Sequence, residues 1–316
     1  MNRRRAFAPL RGASLAYLLA VVNAIVIGVS FSSVKQTLAY ASPFDSLAYR
    51  FSAAVLIFLL LAPFKVYSLH YKGKPLHKLV VLASVYPLGF FLLQVLGLQY
   101  ATSSEGGMIN AFTPIVTLIL SSIFLKESTT KLQKISAFLT VGGISFILLM
   151  QGMNLNLSNL KGLFFLLLAT LFFASYSVLA RSISRQFNFW DISFFMVVVG
   201  CIATVSHSII RHLLNGTLVE LVIPFSHSSF FWLIGYLGVV QLTTALLSNY
   251  IVSQIEAWKM GVFINLSTVV SMLVGAVFLG EKIFWYHLVG TGCIILGVIG
   301  TGYFGKRRCS DVENTA

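Results

Sequence analysis

Stretches of about 20 apolar residues recur along this 316-residue chain, parted by short clusters of charge. Twenty helical residues rise about 30 Å, the thickness of the hydrocarbon core of a bilayer. A soluble fold of this length needs charge on most of its helices. Here charged residues make up only 10% and hydrophobic ones 57%, with a mean hydropathy of +0.88. Lipid is therefore the expected solvent, and the apolar runs are the architecture.

The runs fall at about residues 14–36, 45–63, 78–98, 105–124, 132–150, 161–181, 191–213, 229–249, 259–279 and 285–304. That pattern predicts an all-α integral membrane protein of ten transmembrane helices. The joins near 99–105 and 280–285 are short enough to demand tight antiparallel hairpins. Arg3-Arg4-Arg5 ahead of an apolar stretch has the outline of a signal sequence. The stretch is too long and carries Asn23 and polar Ser30-Phe31-Ser32-Ser33, so it reads as the first span.

The formal net charge of +13 does not point to nucleic acid, because the basic residues lie at span ends and in short joins. With the N-terminus on the cytoplasmic side, 17 of the 22 lysines and arginines lie inside; Lys35, Arg50, Lys161, Arg211 and Lys282 lie outside. This bias predicts that both termini are cytoplasmic, in a multi-pass plasma-membrane protein. Cys201 and Cys293 fall in apolar runs and Cys309 in the tail, so free thiols are expected and no disulfide, metal site or cofactor is implied.

The halves echo each other. Phe124-Leu125 and Glu127 recur as Phe278-Leu279 and Glu281, and Gly143 recurs as Gly297, at an offset of 154 residues. Pro43-Phe44-Asp45 is echoed by Phe189-Trp190-Asp191 at an offset of 146. A repeat of five helices is odd-numbered, so its second copy enters the membrane from the opposite face. Such inverted-topology repeats build alternating-access transporters.

The run Gln99-Tyr100-Ala101-Thr102-Ser103-Ser104-Glu105-Gly106-Gly107 through Thr113-Pro114, then Phe124-Leu125-Lys126-Glu127 and Val141-Gly142-Gly143, resembles the drug/metabolite transporter superfamily, in its form with two EamA-type repeats. Lys35, Pro43 and Arg50 support the resemblance. The second copy departs from the first in having Ser267-Thr268 where Thr113-Pro114 stand, and Met196 near the position of Arg50. The resemblance covers nearly the whole chain. It implies a cytoplasmic segment at 1–13, a first EamA-like five-helix repeat at 14–150 and an extracytoplasmic linker at 151–160. A second repeat follows at 161–304, with a cytoplasmic tail at 305–316.

Candidate substrate-pathway residues follow from polar groups at membrane depth. Pro114 frees a carbonyl one turn back, which either lines a wet cavity or is satisfied by Thr113 or a neighbouring helix. Ser267 and Thr268 lie at the matching depth, with Asn265 nearby; their hydroxyls either face a shared cavity or bond back to their own helix. Asn23, Gln94 and Asn249 are amides costly to leave in lipid, suited to gluing helices or to touching solute. Tyr86, Tyr100, Tyr176 and Trp258 are candidates for an aromatic lining. Arg50 lies too deep for a boundary charge, and pairing with Asp45 or Glu105 is its structural alternative. Lys35 and Lys259 suit snorkelling equally well. Glu127 and Glu281 read as caps of the following helices, and His207 as a buried hydrogen bonder. Gly297, Thr301 and Gly305 share one helix face, which serves either packing between the fifth and tenth helices or a homodimer contact.

No nucleotide-binding Gly-Lys-Ser/Thr loop is present, nor HExxH, GxSxG or a carboxylate pair within a span. The expected function is secondary transport of a small organic metabolite, amino-acid-like in kind, rather than an intramembrane enzyme or a scaffold. The expected partners are that small-molecule substrate and the lipid bilayer.

Overall fold

A computed structural model describes residues 9–64, 67–98, 100, 109–127, 129–150, 160–279 and 283–313. Arg3 to Arg5, most of the 99–105 join with Glu105, the linker at 151–159, Glu281 and the Lys35 side chain fall outside what it describes. Helix is the only regular secondary structure among the described residues.

The helices are α1 (Pro9–Thr37), α2 (Pro43–Leu61), α3 (His77–Ala83), α4 (Phe90–Leu98), α5 (Thr113–Phe124), α6 (Lys131–Met150), α7 (Leu160–Ile183), α8 (Phe189–Asn215), α9 (Ser228–Gln254), α10 (Ala257–Ile264), α11 (Leu266–Leu279) and α12 (Trp285–Glu313). Their starts are chemically marked. Ser42 caps α2 by accepting from the Asp45 N–H, with Pro43 next to it, and Asn188 caps α8 by accepting from the Asp191 N–H. Gly216 ends α8 in the left-handed region at φ 68°. Thr130 and Gln133 form a reciprocal capping box ahead of α6, at 2.9 and 3.2 Å. They take the role expected of Glu127.

Three expected spans are interrupted. Between α3 and α4 the backbone leaves helical geometry at Tyr86 (φ −144°, ψ 125°), just before Pro87. The expected 259–279 helix is two pieces, α10 and α11, meeting at Asn265. In the first repeat, α5 likewise begins only at Thr113, after a break at Phe112.

Six described helical stretches are long and apolar enough to cross a membrane: Pro43–Phe64, His77–Gln94, Leu160–Ile183, Phe189–Asn215, Ser228–Gln254 and Ala257–Val274. Shorter apolar helices lie at Ser14–Ser30, Thr113–Phe124 and Trp285–Thr301. Large apolar side chains such as Leu60, Trp232, Val277 and Leu296 face outward. In water such coverage is an association hazard; against lipid tails it is the ordinary surface.

The main helix pairings recur on exchange of the two repeats. Helix α1 lies on α9 and on α10/α11, while α7 lies on α3/α4 and on α5. Helix α2 pairs with α8, and α6 with α12. A Cβ added at Gly143 would stand 2.6 Å from the Gly290 carbonyl oxygen, and one added at Gly297 would stand 2.6 Å from the Ser136 oxygen. The second contact is the first shifted by 154 positions in each chain segment. Residue numbers rise along α6 as they fall along α12, so this pair is antiparallel. The Gly297 face is thus occupied by α6 within the same chain.

Candidate solute site

The broken helices meet around a cavity of about 530 Å³. Its lining comes from both repeats: Ser30 on α1, Arg50 on α2, Tyr86 to Gln94, Asn110 to Thr113, Tyr176 on α7, Gln241 to Asn249 on α9, and Met260 to Thr268 around the α10/α11 break. A volume of this size holds a small organic molecule.

One wall is polar. The Arg50 guanidinium donates through Nη2 to Gln241 Oε1 at 3.0 Å. The Tyr176 hydroxyl donates to Asn249 Oδ1 at 3.1 Å, and Asn249 Nδ2 donates to Ser193 Oγ at 2.9 Å. The Thr170 hydroxyl donates to Asn110 Oδ1 at 3.0 Å. Asn265 Nδ2 reaches the Ala111 carbonyl at 3.4 Å. Positions 111 and 265 differ by the repeat offset, so this bond lies where the repeats exchange. The other wall is aromatic: Tyr86 stacks on Tyr176 at 4.6 Å, with Phe90, Phe91 and Phe173 beside them.

Of the candidates, the structure brings Thr113, Asn265, Ser267, Thr268, Arg50, Tyr86 and Tyr176 to the cavity, together with Gln94 and Asn249. Pro114 and Asn23 stand behind it. The carbonyl freed by Pro114 is that of Asn110, and the Thr113 hydroxyl takes it at 2.6 Å. Pro114 itself packs on Gly261, where an added Cβ would lie 3.2 Å from the Pro114 Cα. Asn23 donates to Ser248 Oγ at 3.2 Å and acts as glue between α1 and α9. Tyr100 is exposed, and Trp258 is fully buried away from the lining.

Several pairings differ from expectation. Arg50 bonds Gln241, not Asp45. The two residues are five apart on one helix and point to different sides. Asp45 instead faces α8, where Arg211 approaches at 2.7 Å and His212 at 3.3 Å. His212 is the buried histidine of this helix; His207 is exposed and lies against the Phe44 ring at 4.4 Å. Lys259 does not snorkel: its side chain is 2% exposed and binds Glu256 and the Tyr17 hydroxyl, the latter at 2.9 Å. Gln241, Asn110, Met260 and Gly261 line the cavity unforeseen, since nothing local in α9 or α10 distinguishes a cavity face from a packed one.

Charged clamps close both ends of the α2/α8 pair. Asp45, at the start of α2, meets Arg211 and His212 at the end of α8. Asp191, at the start of α8, meets the segment after α2. There His70 N–H donates to it at 2.8 Å, Lys74 at 3.0 Å, and the Tyr71 hydroxyl donates to the Asp191 carbonyl. Burial, and then the Asp191 charge, raise the Tyr71 pKa. Glu127 pairs with Arg181 at 3.5 Å beside the Ala257 N–H, while Arg181 donates to the Val252 and Ser253 carbonyls. Burial raises the Glu127 pKa, opposed by Arg181. Among the described residues no group of three or more His, Cys, Asp or Glu side chains gathers to hold a metal ion.

Two tandem segments, residues 14–149 and 160–303, match the EamA-like transporter family. The chain is 38% identical over 287 residues to the uncharacterized transporter YcxC of Bacillus subtilis (strain 168), covering 90% of this chain and 92% of that one. It is 26% identical over 295 residues to the uncharacterized transporter YyaM of the same organism, with the same coverage. An uncharacterized transporter of Archaeoglobus fulgidus is 27% identical over 284 residues, 86% of this chain and 92% of its own. A solved crystal structure superposes with a TM-score of 0.76 at 18% identity, over 93% of this chain and 98% of that one. Matched twice in tandem over most of its length, this chain belongs to the EamA-like transporter family.

Proposed function

We propose that this protein is a secondary transporter that carries a small organic metabolite, amino-acid-like in kind, through the central cavity by alternating access. It spans the plasma membrane ten times, as two five-helix repeats of inverted topology, with both termini in the cytoplasm. The observation that carries the reading is the cavity where the backbone breaks at Phe112, ahead of α5, and at Asn265, between α10 and α11, positions one residue from the repeat offset. Interrupted helices at a repeat interface supply backbone groups and polar side chains to a solute at membrane depth. The antiparallel α6/α12 pair, and the helix pairings that recur on exchange of the repeats, support the inverted relation. Two states then differ by which end of the α2/α8 pair is closed, with the Asp45 clamp outward and the Asp191 clamp cytoplasmic.

The test is flux in proteoliposomes, with amino acids and related metabolites offered with and without a pH gradient. Wild type should show saturable uptake of at least one solute. A Pro114→Ala plus Thr268→Ala variant removes the break and one cavity hydroxyl. A lost hydrogen bond of about 0.5–1.5 kcal/mol raises KM by up to about tenfold. Folded protein that moves no solute in any condition would return the enzyme and scaffold readings to first place.

A further inference from the structure

Arg50 is the one charged side chain among the described residues lining the cavity, and the lining holds no aspartate or glutamate. Its Nη2 is engaged by the neutral amide of Gln241 at 3.0 Å. Its Nε is fully buried and has no hydrogen-bond partner among the described residues. A guanidinium carries five N–H donors in a rigid fork. With a neutral partner and an unpartnered Nε, it is a desolvated positive charge that no acid among the described lining residues balances.

The other charged groups near the α2/α8/α9 contact are already committed. Asp45 is taken by Arg211 and His212, and Asp191 by Lys74. No described acid is left to serve as the counter-charge, and the solute can bring it. A planar two-oxygen anion matches the fork through two parallel hydrogen bonds. In the same lining, the Tyr86/Tyr176 stack and Phe91 offer a flat apolar face to the remainder of the molecule. An ammonium group on that molecule would meet no carboxylate among the described lining residues.

Resting on the reading of the cavity as the solute site, we propose that the recognised group is a carboxylate seated on Arg50, and that no ammonium is required. The substrate class is then the organic monocarboxylates with a flat apolar body, amino acids being members of it through their carboxylate alone.

The test uses four ligands that share one ring and chain: 3-phenylpropanoate, phenylalanine, phenethylamine and 3-phenylpropanol. Each is measured with the purified full-length protein by thermal stabilisation in detergent and by competition with flux in proteoliposomes. The expected order places 3-phenylpropanoate at or above phenylalanine, with the amine and the alcohol inactive. Arg50→Gln should weaken 3-phenylpropanoate by about 10- to 100-fold, the loss typical of a charge-assisted hydrogen bond, and Arg50→Lys should weaken it less. The ligand-free Arg50→Gln protein should melt at or above the wild-type temperature, because an unbalanced buried charge has been removed.

Preference for phenethylamine, or equal response to all four ligands in both wild type and Arg50→Gln, would overturn the proposal while leaving transport standing. Glu105, outside the described residues, is covered by a second variant. If Arg50→Gln and Glu105→Gln each lower the ligand-free melting temperature and the double variant lowers it no further, Glu105 is the counter-ion and the proposal fails. Folded wild type that carries no solute at all defeats the transport reading itself, a separate result.

Discussion

Asp45 and Asp191 open equivalent helices in the two repeats, yet they are held by different chemistry. Both lie three residues after a capping side chain, Ser42 or Asn188, and Asp45 reaches the far end of α8 while Asp191 reaches the segment that follows α2. Asp45 is met by two side chains carried on α8, Arg211 and His212. Asp191 is fully buried and is met by a loop, through one backbone N–H and Lys74, while Tyr71 holds its carbonyl. Duplication thus preserves where the acid stands and leaves its partners free to diverge. One clamp is built from rigid helix, the other from a segment that must itself be ordered.

The difference predicts unequal costs. Asp191→Ala orphans the His70 N–H, about 1–3 kcal/mol, and removes a charge-assisted bond to Lys74, whose side chain is 27% exposed, about 1.5–3 kcal/mol, so it should destabilise by about 3–5 kcal/mol. Asp45→Ala leaves an Arg211 whose side chain is 35% exposed and can turn to water, so its cost should be about 1–3 kcal/mol. Thermal unfolding of the purified protein in one detergent ranks the two. Equal costs, or the reverse order, would break the comparison, because loop and helix partners would then count the same.

The repeats can also be compared where they touch. Gly143 and Gly297 are repeat mates, and a Cβ at either would meet a backbone oxygen across the α6/α12 seam at 2.6 Å. Backbone cannot swing aside as a flexible side chain does. Gly143→Ala and Gly297→Ala should therefore each cost about 1–3 kcal/mol by overpacking. The neighbour Gly142 has open space at its Cβ position, and Gly142→Ala should stabilise by about 0.5–1 kcal/mol through helix propensity. The three melting temperatures should fall on both sides of wild type. A Gly297→Ala protein that melts with wild type would mean that the seam relaxes on one side only.

How far these features were legible in the sequence depends on their range. Helix positions follow from runs of apolar residues, a local signal, and the helices α2, α6, α8 and α9 fall within a few residues of the runs. The repeat was visible through Phe124-Leu125, Gly143 and their echoes. The breaks were half visible: Pro114 marks one, but Asn265 breaks α10 from α11 without any proline, and its bond to the Ala111 carbonyl exists only once the repeats meet. The clamps were invisible as clamps. Asp45 and Asp191 read only as echoes of each other, because Arg211 and Lys74 lie 166 and 117 residues away in sequence. Arg50 stood out in the sequence as a charge within an apolar run, while its partner Gln241, 191 residues on, has no signature of its own in an apolar helix.

The smallest effect separates two acids of the same end of the molecule. Glu127 follows α5, outside the spans, and pairs with Arg181, while Glu256 pairs with the buried Lys259. Burial raises the Glu127 pKa above its ordinary 4.5, and Glu256 pushes the same way against Arg181. A raised value means that the folded state holds this proton more tightly than the unfolded chain does. The stability linked to it is complete below about pH 4.5 and fades as pH climbs through the folded value. Glu127→Gln keeps a neutral side chain at every pH. It should melt with wild type in acid and slightly above it at neutral pH, with the gap opening above pH 4.5. A variant that instead melts lower at neutral pH would show that the Arg181 pair outweighs burial, and that Glu127, like Glu256, is held by its cation.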